Sequence, residues 1–186
     1  MAGSTCTADR ALLGVIDIQE RLGQAMPGKV LNRVVQNSQL LIRSATELSI
    51  PVVLSEQYPQ GLGSTIPSVS QCLPADHGSV AKTSFSCATV AGFNDLVAQS
   101  GRSEIVLLGM EAHICVLQTA IGLISQGLTV FVVEDAICSR RLENYQNALD
   151  RLRQSGANVV SAESVVFEWL ADSSHPSFKT IQSMLR

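Results

Sequence analysis

The chain has no excess of basic residues: 13 Lys and Arg stand against 16 Asp and Glu, for a net charge of −3. Without a basic patch, neither nucleic acid nor an anionic membrane surface has an electrostatic reason to bind. No apolar run approaches the ~20 residues that a membrane-spanning helix needs. The amino terminus, MAGSTCTADR, has neither the basic start nor the apolar core of a secretory signal, so a cytoplasmic location is expected. The five cysteines, Cys6, Cys72, Cys87, Cys115 and Cys138, are odd in number and match no zinc or C-x-x-C spacing. Free thiols are therefore expected. His77, His113 and His175 are scattered and form no H-E-x-x-H pair, and Asp76-His77 has no second histidine nearby, so no metal site is expected. No G-x-G-x-x-G follows the first strand-like run and no P-loop is present, so no nucleotide cofactor is expected either.

What is present is a compact globular composition, 46% hydrophobic and 16% charged over 186 residues, a length that suits one domain with a substantial core. Residues 1–9 are small and polar and read as a flexible N-terminal tail, leaving 10–186 as the folded domain. Short apolar runs at ALLGVI (11–16), IPVVL (50–54), SVAK (79–82), IVLL (105–108), LTVFVV (128–133) and 158–161 read as strands. Helical spacing occupies the intervals, as in Val30, Val34, Val35, Leu41, Ala45 and Leu48 after Pro27. Strands alternating with helices, with no internal repeat, predict an α/β domain with an open parallel sheet covered on both faces. Between the second and third strands lie some 25 residues rich in Gly, Pro and Ser, a length of loop that usually carries function.

Three polar residues stand just past strand ends: Asp17, Lys82 and Cys115. Strand ends on one edge of a parallel sheet converge, so residues distant in sequence can share a site there. Each has an ordinary reading alone: a turn-forming aspartate, a snorkelling lysine, a small buried cysteine. Together they are a base, a cation and a thiol. Lys82 is one of only three lysines beside ten arginines, and it follows apolar Val80-Ala81. Gly109 ends a strand-like run and helical spacing resumes from Ala112, which predicts Cys115 in or near the first turn of a helix. There the helix dipole is expected to lower the thiol pKa.

Asp17-Ile18-Gln19, Lys82, and Gly109-Met110-Glu111-Ala112-His113-Ile114-Cys115-Val116 occur in an order and spacing that resembles the isochorismatase-like (cysteine hydrolase) superfamily. The resemblance runs from about Leu12 to Leu185 and is closest to the small isochorismatase-domain hydrolases, on the stretches SEQYPQGLGST, KTSFSC, EAHICVLQTA and SHPSFKTIQ. It implies a three-layer αβα, Rossmann-like domain whose six parallel strands run in the order 3-2-1-4-5-6. It also implies a homo-oligomer, dimer or tetramer. As catalytic residues it implies Asp17 as base and acid, Lys82 as electrostatic partner and Cys115 as nucleophile. A cis non-proline bond between Met110 and Glu111 would aim the backbone N–H groups of Glu111 and Cys115 at a substrate carbonyl, as an oxyanion hole. Position suggests Gln19, Gln57, Tyr58, Phe85, His113 and Ile114 as the substrate pocket.

One departure bears on chemistry. The nicotinamidase branch of the superfamily binds a metal through an aspartate and paired histidines, and here the corresponding loop offers only His77. The expectation is therefore a hydrolase without metal or other cofactor, acting on a small amide or other C–N substrate through a thioester. The alternatives are vinyl-ether hydrolysis with no covalent intermediate, and a non-catalytic scaffold or binding protein that keeps the fold.

Overall fold

The computed structural model describes residues 5–185. Its six strands are β1 (Ala11–Ile16), β2 (Val52–Gln57), β3 (Gly78–Lys82), β4 (Glu104–Met110), β5 (Thr129–Cys138) and β6 (Asn158–Val160). They form one sheet of order β3-β2-β1-β4-β5-β6, and every pairing is parallel. Nine α-helices accompany them among the described residues: α1 (Glu20–Gln24), α2 (Gly28–Glu47), α3 (Pro59–Leu62), α4 (Pro67–Ser70), α5 (Ala91–Ser100), α6 (Leu117–Ser125), α7 (Leu142–Gln154), α8 (Ala162–Leu170) and α9 (Phe178–Ser183). The fold class and strand order implied by the resemblance are those observed.

Alternation along the strands explains the three layers. Leu13 and Val15 point to the face covered by α2 and α8, where they meet Val34, Leu41, Ile42, Val165 and Trp169. Leu12 and Ile16 point to the other face, against Phe93 of α5, Leu123 of α6 and Leu152 of α7. Both faces of the sheet are buried, so its central strands read as unbroken apolar runs. Each fully buried Leu, Ile or Phe contributes about 1.5–3 kcal/mol, which makes these two clusters the main stabilising term. Among the described residues no helix is long and apolar enough to cross a membrane.

Away from the turn after β4, the structure departs from the expected elements at four places. Strand β2 runs on to Gln57 and so takes Ser55, Glu56 and Gln57 out of the expected loop. Within that loop Pro59 and Pro67 open the one-turn helices α3 and α4, as proline's fixed φ allows at a first turn. Strand β5 does not stop at Val133: it advances from Val132 to Ile137 while β4 advances from Leu107 to Gly109, a bulge that carries Glu134 and Asp135 inside the strand. Lastly, the expected flexible tail is anchored from Cys6 onward. Cys6 is fully buried, its N–H donates to the Glu168 carboxylate (2.6 Å), and Trp169 Nε1 donates to its sulfur (3.3 Å). The tail's first four residues lie outside the described residues.

Candidate active site

Strand order brings β3, β2, β1 and β4 side by side, so their carboxyl ends form one edge. Asp17 follows β1 and adopts φ +51, a left-handed conformation that Asp tolerates better than most residues. Its N–H donates to Ser55 O (3.1 Å), and Ser55 Oγ donates back to Asp17 Oδ1 (2.7 Å). Lys82, the last residue of β3, reaches across the end of β2 to place Nζ 2.7 Å from Asp17 Oδ2. Both side chains of this ion pair are wholly buried. Lys82 Nζ also donates to Gln57 Oε1 (2.7 Å) and, at longer range, to the carbonyls of Phe85 (3.2 Å) and Ser84 (3.3 Å).

Gly109 sits within β4 and is required there. A side chain on it would overlap the Ile16 carbonyl oxygen, and its φ of +130 is one that L residues rarely adopt. The close approach it permits sets the end of β4 against the strand that leads into Asp17. The Met110–Glu111 peptide is cis. Residues Ala112–Val116 then form a π-helical turn, and α6 begins only at Leu117. Cys115 therefore lies in that wider turn, two residues ahead of the first turn of α6.

The expected lowering of the Cys115 pKa does not occur. The thiol is pushed up to about 12, first by burial and then by the Asp17 carboxylate, which acts both as a charge and as a hydrogen-bond partner. The Lys82 ammonium pulls it down, but by less. Burial dominates because a thiolate loses most of its hydration at this site. A second thiol, that of Cys87, is held close by: it is also raised by burial, and it feels Lys82, Ser55 and Asp17.

The residues assigned to the pocket by position divide into two groups. Gln19 is fully buried, with its side chain taken up by backbone: Nε2 donates to Gln57 O (3.0 Å) and Gly63 O (2.6 Å), while Oε1 accepts from Gln57 N (2.7 Å). Gln57 is turned toward Lys82 and Thr83. These two hold the site together and do not line an open pocket. His113 is also engaged elsewhere. Asn144 Nδ2 donates to its Nε2 (3.3 Å), so Nδ1 carries the proton and donates to Ser139 Oγ (2.9 Å). Tyr58, Phe85 and Ile114 do reach solvent, and Tyr58 and Phe85 are each more than half exposed. Tyr58 also borders a cleft of about 270 Å³ that reaches Lys82 and Thr83. The Glu111 carboxylate accepts from Arg140 N (3.0 Å) and Nε (3.2 Å), tying the turn after β4 to the segment after β5. Sequence reasoning missed Ser55. Its one signal was a hydroxyl at the carboxyl end of a run otherwise made of Val and Leu.

Comparison with known proteins agrees with this architecture. Isochorismatase domain-containing protein 1 of Danio rerio is 38% identical over 170 residues, which is 91% of this chain. The chain spans only 59% of that relative's length. The structure of MAR1 ribonuclease from Caenorhabditis elegans superposes with a TM-score of 0.92 at 33% identity, covering 98% of this chain and 92% of that one. The YcaC gene product of Escherichia coli, described as an octameric hydrolase of unknown specificity, superposes with a TM-score of 0.84 at 21% identity, covering 100% of this chain and 98% of its own. The isochorismatase-domain profile matches residues 10–164, and the chain belongs to the isochorismatase family.

Proposed function

We propose that this protein is a hydrolase of small amides or related C–N substrates, working through a Cys115 thioester without a metal. The observation that carries the reading is the buried Asp17–Lys82 pair acting on the Cys115 thiol. With a thiol near pKa 12, ionisation to solvent supplies almost no thiolate at neutral pH. Transfer to Asp17 is different. Once Asp17 takes the proton, the negative charge that opposes the thiolate disappears and the Lys82 ammonium remains. The thiolate then attacks the substrate carbonyl, and the tetrahedral oxyanion is met by the Glu111 and Cys115 N–H groups. Among the described residues the Glu111 N–H has no backbone acceptor, which suits that role. Asp17 returns its proton to the leaving nitrogen as the C–N bond breaks. A water deprotonated by Asp17 then attacks the thioester, releasing the carboxylic acid and restoring the thiol.

The test is intact-mass analysis during turnover of a panel of small amides. An acyl adduct on Cys115 is expected, together with loss of turnover in Cys115→Ala and Asp17→Asn. Turnover that survives Cys115→Ala would sink the proposal. Hydrolysis of a vinyl ether with no adduct would move the reading to the non-covalent reaction, and a blank panel with a stably bound protein partner would move it to a scaffold. The ribonuclease name belongs to the C. elegans protein, and a net charge of −3 does not favour an RNA substrate here.

We further propose that the protein is cytoplasmic and assembles as a homo-oligomer. Tyr58, Phe85, Leu142 and Phe167 are large apolar residues left exposed on the protomer, and the E. coli neighbour is described as octameric. Light scattering on the purified protein should give a multiple of the protomer mass; a monomer at micromolar concentration would refute assembly.

A further inference from the structure

We propose that Gln57 is a positioning residue for the Lys82 ammonium, an inference that rests on Cys115 being the nucleophile. A buried ammonium has three N–H groups to satisfy. One goes to Asp17 Oδ2 and one to Gln57 Oε1, both at 2.7 Å. The third is spread over the more distant carbonyls of Ser84 and Phe85. Among the described residues Gln57 is therefore one of two close partners of a cation whose side chain is wholly buried.

The glutamine is fixed in the orientation this needs. Its Nε2 donates to Thr83 O (2.7 Å), so the amide oxygen must face Lys82. Turning the amide over would set an NH2 against an ammonium and a carbonyl against a carbonyl. The backbone is held as firmly, because Gln19 bonds both the N–H and the carbonyl of Gln57. Gln57 also stands on β2, the strand between those that supply Asp17 and Lys82. From there it supports the ammonium beside the carboxylate while the loosely held third N–H is left free to turn toward a thiolate. Without the Gln57 oxygen, the buried ammonium either closes further onto Asp17 or gives up its proton. Both changes withdraw positive charge from Cys115.

The experiment measures iodoacetamide alkylation of each cysteine by peptide mapping between pH 7 and pH 10. It compares wild type with Gln57→Met, Gln57→Glu and Lys82→Met. Gln57→Met should slow Cys115 about tenfold, the change that corresponds to one hydrogen bond to a charged group. Cys6 and Cys138, which Lys82 does not influence, should keep their slow rates. Gln57→Glu keeps an oxygen against Nζ but adds a negative charge, and it should slow Cys115 further. An unchanged Cys115 rate in both glutamine variants overturns the inference. Faster labelling of all four buried thiols also overturns it, because loosened packing would then be the whole effect. If Lys82→Met itself leaves the Cys115 rate unchanged, the reading of Lys82 as the thiolate's partner falls instead.

Discussion

At the scale of single residues, the charges at the site are defined by what each has lost from water. Asp17 and Lys82 are buried without any exposed side-chain surface, and each is the other's main compensation. Lys82→Met would leave Asp17 as an uncompensated buried charge, which costs about 3–5 kcal/mol. Urea denaturation should show that loss, and the double variant Lys82→Met/Asp17→Leu should recover much of it. A double variant no more stable than Lys82→Met would show that the pair does not carry the effect. The thiol responds to the same two charges with opposite signs. Asp17 raises the Cys115 pKa and Lys82 lowers it, so Asp17→Asn should favour the thiolate. Alkylation of Cys115 at pH 9 should therefore quicken while turnover is lost, with about ten times more thiolate for every tenfold rise in the thiol's acidity constant. A simple nucleophile count would predict the two to fall together.

At the scale of elements, the turn after β4 departs furthest from its simplest reading. A strand, a glycine and helical spacing were visible in the sequence, and so was the position of Cys115. The π-helical turn was not, because its periodicity over five residues cannot be told from that of the helix that follows. The thiol's environment was not legible for a different reason. The helix start is a local feature of sequence, whereas the burial that raises the thiol's pKa is assembled from residues distant in sequence. The same limit hid Ser55 and the true place of Gln57: their strand continues past its apolar run, and polar residues at a strand end look like a loop. Two measurements follow at this scale. Partly buried Cys72 should be alkylated before Cys115 in the folded protein, and Cys115 labelling should still be rising at pH 10 because its pKa is near 12. A plateau below pH 8 would contradict that environment. Gly109→Ala should destabilise the fold by about 3 kcal/mol or more, or prevent soluble expression, since a methyl group overlaps the Ile16 carbonyl at a strained φ.

At the scale of the whole molecule, the order of six strands was available only through family resemblance, since alternation of elements identifies a parallel sheet without ordering it. The anchored amino-terminal segment escaped because a small polar sequence gives no sign of the pocket that receives it. That segment can be followed optically. Trp169 is the chain's one tryptophan, and its indole N–H donates to the buried Cys6 sulfur. Cys6→Ala should cost about 1–3 kcal/mol by leaving that donor unsatisfied, and it should alter Trp169 emission in the native state. Unchanged emission and melting temperature would mean that the segment does not contribute to stability. The sheet order has one more consequence. Asp17 and Lys82 leave strands that are not neighbours, so their side chains together bridge two interstrand spacings, roughly 10 Å, above the end of β2. The lysine side chain thus works as a gauge laid across the sheet. Its length matches one spacing and twist of three strands, and any splaying of that edge would be registered at once as a change in the charge beside the sulfur.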